Sequence, residues 1–278
     1  MITPLFPHPA ALVTSQKLTA MVIADLHIGW ELALAQDGIH VPTQTPKLLK
    51  KLINLVAIYR PEKLVVLGDV KHTVARAETG EWRDVPEFFT ELRKHVDEIC
   101  IIRGNHDGNL EPLLPETVKF LPATGISLGD VGLFHGHQWL SSDLLRCRTL
   151  VMGHVHPVVA FRDPAGFRIT RQVWVMLSCN RAKLTENLMR RHKMPTEPKK
   201  SRRVESVPRQ PVMQLFIMPS FNDFLGGRPL NTGRHENIEP ERIVGPVLRS
   251  DAVNIDNAET YLLDGTYLGA LSQLRNMS

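Results

Sequence analysis

The stretch Ala20-Met21-Val22-Ile23-Ala24-Asp25-Leu26-His27 sets the pattern for this chain: five apolar residues, then a carboxylate and an imidazole two apart. A short unbroken apolar run reads as a strand buried on both faces, as in a sheet covered by other layers. The pattern recurs outward from it. Lys63–Leu67 is a second run, closing on Gly68-Asp69, and residues 99–102 form a third, closing on Gly104-Asn105. Between them, residues 46–59 carry a broad apolar stripe at helical spacing, and residues 85–96 read as another helix. The order strand–helix–strand–helix–strand implies parallel pairing through right-handed crossovers.

After Asp107 the runs shorten. Residues 126–134 read as two short strands about Gly129-Asp130, and residues 150–152 as another. Residues 158–161 and 167–174 flank the turn sequence Asp163-Pro164-Ala165-Gly166, which predicts an antiparallel hairpin. Residues 212–218 form one more strand, separated from the hairpin by the basic, proline-containing stretch 187–211, read as an exposed loop. Beyond Leu230 apolar density falls, and residues 261–268 about Asp264-Gly265 predict a small terminal hairpin. The chain therefore divides into a domain over 1–230 and an extension over 231–278 with no role assigned to it.

Composition bounds the class. With 278 residues and 43% hydrophobic content the chain can bury a large core. Prolines at Pro4, Pro7 and Pro9 interrupt the N-terminal region, which reads neither as a signal peptide nor as a membrane span. Three scattered cysteines, Cys100, Cys147 and Cys179, form no CxxC pair and suit a reducing, cytoplasmic setting. Residues 181–210 hold ten Lys/Arg against three Glu, a local net of +7, which leaves −3 for the rest of a chain whose total is +4. A near-neutral body with one basic stretch is not a uniformly basic nucleic-acid binder.

The chemistry lies in how the strands end. In order they give Asp25-Leu26-His27, Gly68-Asp69-Val70-Lys71-His72, Gly104-Asn105-His106-Asp107, His135-Gly136-His137 and Gly153-His154-Val155-His156. In an open α/β sheet, ligands gather outside the carboxyl ends of strands. Carboxylates with imidazoles suit Mn²⁺, Fe²⁺ or Zn²⁺, and the lack of thiolates in the set argues against a structural zinc site. Each fragment alone has a bland reading as a surface loop or turn, and Asp130 after Gly129 is read as a turn only. His8, His40, His95, His192 and His235 match no pattern and read as solvated. Five such fragments in order, each after a β-type run, point to one metal site. His137 lies outside that set, as an outer contact or a polar rim residue.

This series resembles the signature of the calcineurin-like metallophosphoesterases over residues 25–156. The resemblance implies an α/β fold, a four-layer αββα sandwich with mixed β-sheets. It also implies that Asp25, His27 and His156 hold one divalent ion, that Asn105, His135 and His154 hold a second, and that Asp69 bridges them. Mn is the first expectation for the ions, with Fe, Zn or Ni as alternatives. Two divalent ions about 3.5–4 Å apart can activate water and clamp the phosphate oxygens through an in-line displacement. The leaving oxygen still needs a proton. His106, beside a ligand yet free of the metals, is the candidate donor, with Asp107 expected to orient its ring.

Substrate rests on finer resemblance. His72 in Gly-Asp-Val-Lys-His is similar to the SbcD-type nuclease branch of double-strand-break repair, which implies a position beside the scissile phosphate. Asp25-Leu26-His27-Ile28-Gly29-Trp30-Glu31, the Asp69 motif and Pro219-Ser220-Phe221-Asn222-Asp223-Phe224-Leu225-Gly226-Gly227 together resemble the archaeal SbcD-related, ICC-like phosphoesterases, akin to bacterial ligase-associated DNA damage response endonucleases. The double glycine suits a loop approaching the metal rim closely. In it Asn222 or Asp223 is a candidate to contact a phosphate or hold a ligating histidine; the other reading is a loop that only covers the sandwich edge. The expectation is a DNA or other nucleic-acid phosphodiesterase in repair or processing, with association to a repair ligase or helicase implied by family alone. Two rivals stand beside it: a small-molecule enzyme acting on cyclic nucleotides or nucleotide monoesters, and a non-catalytic nucleic-acid or partner-binding module.

Overall fold

The computed structural model of the protein describes residues 1–16, 18–74, 78–191, 210–232 and 245–276. The first sheet takes its strands from the first half of the chain: β1 (Ile2–Pro4), β2 (Ala11–Thr14), β3 (Thr19–Ile23), β4 (Lys63–Leu67), β5 (Glu98–Ile102) and β6 (Val118–Leu121), paired in that order. Strands β3 to β6 are parallel, as the alternation with helices predicted, and β1 and β2 run antiparallel at one edge. Three helices accompany them, α1 (Trp30–Gln36), α2 (Thr45–Tyr59) and α3 (Thr79–Leu92).

The second sheet is built from β7 (Ile126–Leu128), β8 (Val131–Phe134), β9 (Thr149–Met152), β10 (Pro157–Arg162), β11 (Arg168–Asn180), β12 (Val212–Ile217), β13 (Arg228–Pro229), β14 (Glu259–Leu262) and β15 (Tyr267–Ala270). It mixes parallel pairs (β8 with β9, β9 with β12) with antiparallel ones (β10 with β11, β11 with β12). On its helical side lie α4 (Arg181–Arg191), α5 (Gly245–Arg249) and α6 (Leu271–Asn276).

Side-chain alternation turns these sheets into four layers. Successive strand residues point to opposite faces. Met21, Ile23, Leu64, Val66, Ile99 and Ile101 pack against Leu48, Leu52, Phe88 and Phe89 of the helices. Their neighbours Ala20, Val22, Val65, Leu67, Cys100 and Ile102 face the second sheet, meeting Val131, Leu133, Val151 and Trp174. On the far face of the second sheet, Leu150, Val175, Leu215 and Ile217 are covered by Leu184, Leu188, Val247, Leu271 and Leu274. Three apolar interfaces thus separate helix, sheet, sheet and helix, the α/β sandwich expected. Cys100, Cys147 and Cys179 are free and buried, and among the described residues no helix is long and apolar enough to cross a membrane.

Several boundaries depart from the sequence reading. Helix α3 begins at Thr79 rather than 85, because a capping box between Glu78 and Glu81 starts it earlier and Pro86 sits inside it. Strand β11 runs to Asn180, well past residue 174, since after leaving β10 it pairs with both β12 and β14. The 187–211 stretch is not all loop: residues 187–191 are the last turn of α4, and residues 192–209 lie outside the described residues. Beyond Leu230, β14 and β15 form the predicted terminal hairpin, and β14 extends the second sheet through β11.

Candidate metal centre

The seven expected donors leave their strands at one rim, and their backbone is forced there. Asp25, His27, Asp69, His154 and His156 all have positive φ, between 43° and 71°. Non-glycine residues rarely adopt this region, and such strain gathers at functional sites where the surroundings impose it. The imposing contacts are visible. Phe221 N–H donates to Ala24 O (2.8 Å), Ser220 Oγ to Asp25 O (2.9 Å) and Asn222 Nδ2 to Leu26 O (2.9 Å). From the other side His27 N–H donates to Asp69 O and Ile28 N–H to Val70 O, both at 2.8 Å. Gly68 and Gly104 are obligatory at this density. A Cβ on Gly68 would lie 2.5 Å from His135 Nδ1, and one on Gly104 would lie 2.2 Å from Asp69 Oδ1.

Two of the donor groups that result share a carboxylate. Asp25, His27, Asp69 and His156 converge within 4.8 Å of one another, as do Asp69, His135 and His154. His27 Nε2 lies 3.3 Å from His156 Nε2, and His156 Nε2 lies 3.5 Å from Asp25 Oδ1. Asn105 joins the second group, its Oδ1 3.0 Å from His135 Nε2. His135 Nδ1 donates to Leu67 O (2.6 Å), which fixes the tautomer and turns Nε2 toward the shared carboxylate.

Electrostatics distinguish the imidazoles. Burial pushes His27 down to about 3 and His154 down to about 4, so both are neutral with lone pairs available to a cation at neutral pH. Burial opposes charge on His135 as well, but the Asp69 and Asp25 carboxylates outweigh it and raise it to about 9. His156 is likewise raised by Asp25 against its burial. Asp25 is held below the usual carboxylate range because His156 and His135 outweigh the cost of burying it. Imidazoles drawn toward protonation by buried carboxylates mark a place where positive charge is wanted, and the hard-oxygen and imidazole donors fit divalent cations.

The remaining expected residues sort differently. His106 lines the cleft; its Nδ1 is engaged by the His72 carbonyl, and its N–H donates to Asp69 Oδ1 at 2.8 Å. Asp107 does not orient the His106 ring. Its fully buried carboxylate accepts from the N–H groups of Asp69 (2.9 Å), Val70 (2.8 Å) and Gly104 (2.7 Å), fastening the Asp69 loop to the Asn105 loop. Burial and the Asp69 charge push this carboxyl up to about 6. His72 lies against His27, with Nδ1 atoms 3.2 Å apart, and with His27 and His106 it forms a third cluster of donors within 4.8 Å, although it is not among the residues lining the cleft.

Asn222 and Asp223 are engaged by the protein itself. Both ends of the Asn222 amide serve backbone, Nδ2 on Leu26 O and Oδ1 on Phe224 N–H, and the residue is fully buried. Asp223 pairs with Lys51 of α2 at 2.7 Å, on the flank of the domain. The close approach expected of the glycine pair does occur, since a Cβ on Gly227 would lie 2.1 Å from His156 O. Sequence reasoning passed over Ser220, which braces Asp25, and Glu81, which accepts from His72 and Thr73 N–H (3.0 and 2.8 Å). It also passed over Arg228, which lines the cleft. The signal for Ser220 was its place inside the 219–227 motif; Glu81 and Arg228 had none.

Comparison with known proteins agrees with this geometry. The crystal structure of Pseudomonas putida nuclease MPE shares the fold, with a TM-score of 0.51 and 21% identity over 95% of this chain and 98% of that one. A phosphoesterase from E. coli, YfcE, matches at 24% identity over 52% of this chain and 73% of that one, with a TM-score of 0.33 that adds nothing to the fold assignment. No curated protein matches the chain. Residues 18–177, which carry the strand ends from Asp25 to His156, match the model of the calcineurin-like phosphoesterases. The chain belongs to that family of metal-dependent hydrolases.

Proposed function

We propose that the protein is a two-cation phosphodiesterase that cleaves DNA or another nucleic acid. The observation that carries the reading is the shared carboxylate. Asp69 Oδ2 lies 3.5 Å from His27 Nε2 and 3.4 Å from His135 Nε2, beneath one cleft of about 420 Å³. Asp25, His27, His156 and Asp69 would hold one divalent cation, and Asn105, His135, His154 and Asp69 the other. The pair would supply Lewis-acid charge for the phosphoryl oxygens and a nucleophilic water whose pKa falls from about 15.7 towards about 7.

The chain's own residues do the rest. Asp69 Oδ1 is occupied by the His106 N–H, which leaves Oδ2 for the two donor groups. His106 donates Nδ1–H to the His72 carbonyl, so only its doubly protonated form can deliver a proton from Nε2 to the departing oxygen, returning to the neutral ring. His72 against His27 and Leu67 O against His135 keep both ligating rings in place.

Three observations favour nucleic acid as substrate. The P. putida relative of the same fold, matched along nearly its whole length, is a nuclease. The Gly226-Gly227 loop of the 219–227 motif borders the cleft. Arg190 and Arg191 open a run of positive charge, and if residues 190–207 track phosphates, deleting them should weaken DNA binding and flatten its salt dependence. The deciding experiment offers single-stranded DNA, bis-p-nitrophenyl phosphate and p-nitrophenyl phosphate with Mn²⁺, with Asp69→Asn as an inactive control. Metal-dependent cleavage of the DNA and the diester is expected. Preference for the monoester would overturn the reading in favour of a small-molecule phosphatase.

A further inference from the structure

We infer that Arg228 binds the phosphoryl group under attack, as a fixed cation that the protein itself places beside the metal sites. The cleft is lined by His27, Asp69, Asn105, His154 and His156, all expected donors, together with His106 and Arg228. Once the donors are assigned, the charged or titratable groups left in this lining are one acid and one guanidinium.

Arg228 makes no ion pair among the described residues. Its Nη1 is buried and, among the described residues, has no hydrogen-bond partner. A buried, unsatisfied guanidinium nitrogen is costly to keep and is explained when a ligand completes it. The backbone beneath is rigidly set. Arg228 pairs with Pro157 across β13 and β10, one residue beyond His156, and Gly227 lies against the His156 carbonyl. Asn222 anchors the same loop to Leu26. The loop that restrains the Asp25 backbone therefore also delivers Arg228, so its position follows that of the ligands. A planar guanidinium offers two parallel N–H groups that match two oxygens of a phosphoryl group, a geometry lysine cannot reproduce.

The inference takes its phosphoester chemistry from the proposed function, yet its test does not depend on which ester the protein prefers. Inorganic phosphate is titrated into Mn²⁺-loaded protein by calorimetry, with bound Mn measured in the same samples. Arg228→Ala should weaken phosphate binding about 10- to 100-fold at unchanged Mn content, and Arg228→Lys should recover only part of the loss. Should Arg228→Ala release Mn, Arg228→Met, which keeps the aliphatic stem, takes its place in the same comparison. With bis-p-nitrophenyl phosphate, added guanidinium should restore part of the lost turnover to Arg228→Ala. Phosphate affinity within twofold of the parent at full Mn occupancy overturns the assignment. A monoester preference in the substrate panel, with phosphate binding still dependent on Arg228, would sink the diesterase reading and leave this one standing.

Discussion

The two sheets contribute unlike donors to one cleft. From the first come Asp25, His27, Asp69 and Asn105, three of them oxygen donors; from the second come His135, His154 and His156, all imidazoles. Neither sheet completes a group. The Asp25, His27 and Asp69 set needs His156 from across the interface, and the His135 and His154 set needs Asp69. The site is therefore a product of sheet-on-sheet packing, and its residues test that packing as much as they test chemistry.

Asp69 is where the two halves meet, so its loss should be the most damaging. Asp69→Asn keeps the shape but removes the one carboxylate charge that both groups share, and should lower diester turnover about 10³-fold or more with reduced metal content. Turnover within tenfold of the parent would break the shared-carboxylate picture. His106 comes from the first sheet and is assigned as the proton donor rather than a ligand, so His106→Ala should keep both cations. It should lose about 10²- to 10³-fold on esters with poor leaving groups and much less on nitrophenyl esters. Equal losses on both would place His106 in a structural role.

The same contrast has a pH signature in cation-free protein. His135 of the second sheet is raised to about 9 by the carboxylates of the first. Its imidazolium stabilises the fold fully below the unfolded value of about 6.5, and that contribution is lost as pH climbs through about 9. His27 and His154 are depressed to about 3 and about 4, so stability is also lost on the acid side, as pH falls below about 6.5. Denaturation of chelator-treated protein should show a maximum near neutrality, with a change of a few kcal/mol on either side. Cations should remove the alkaline decline, because His135 must already be neutral to ligate. A stability that stays flat through about pH 9 without metal would contradict the cross-sheet pairing.

The first half of this comparison was legible in the sequence and the second only in outline. Lys63–Leu67 and its neighbours are local: each run is apolar after its first residue, pairs in parallel and ends on its own ligand, so periodicity and spacing suffice. Capping was harder, since α3 starts on a Glu78–Glu81 box that Pro86 concealed. Strand β11 defeated periodicity because its pairing changes partners midway, a long-range event with no local mark. At the site, residue types foretold which groups gather, but not where shared hydrogen bonds direct them. Asp107 turns to three backbone amides because they lie within reach of a buried carboxylate, and His106 is left to a carbonyl.

The loop after β12 shows the same division at smaller scale, within two adjacent residues. Asn222 is buried and ties the second sheet's loop to Leu26 of the first, so Asn222→Ala should cost about 1–3 kcal/mol and loosen the Asp25 backbone. Its activity should fall with it, since the strained Asp25 and His27 conformations depend on that brace. Asp223 meets Lys51 on the flank instead, with about half of its side chain in water. A partly exposed pair of this kind contributes on the order of 1 kcal/mol, reduced further by salt. Lys51 also donates to Phe221 O at 3.1 Å and so keeps a hold on the loop when its carboxylate is gone. Asp223→Ala should therefore shift the denaturation midpoint only slightly and leave diester turnover within about twofold. If it instead matches Asn222→Ala in both readouts, the loop is positioned from the helix flank and the brace across the two sheets is not what holds Asp25 in place.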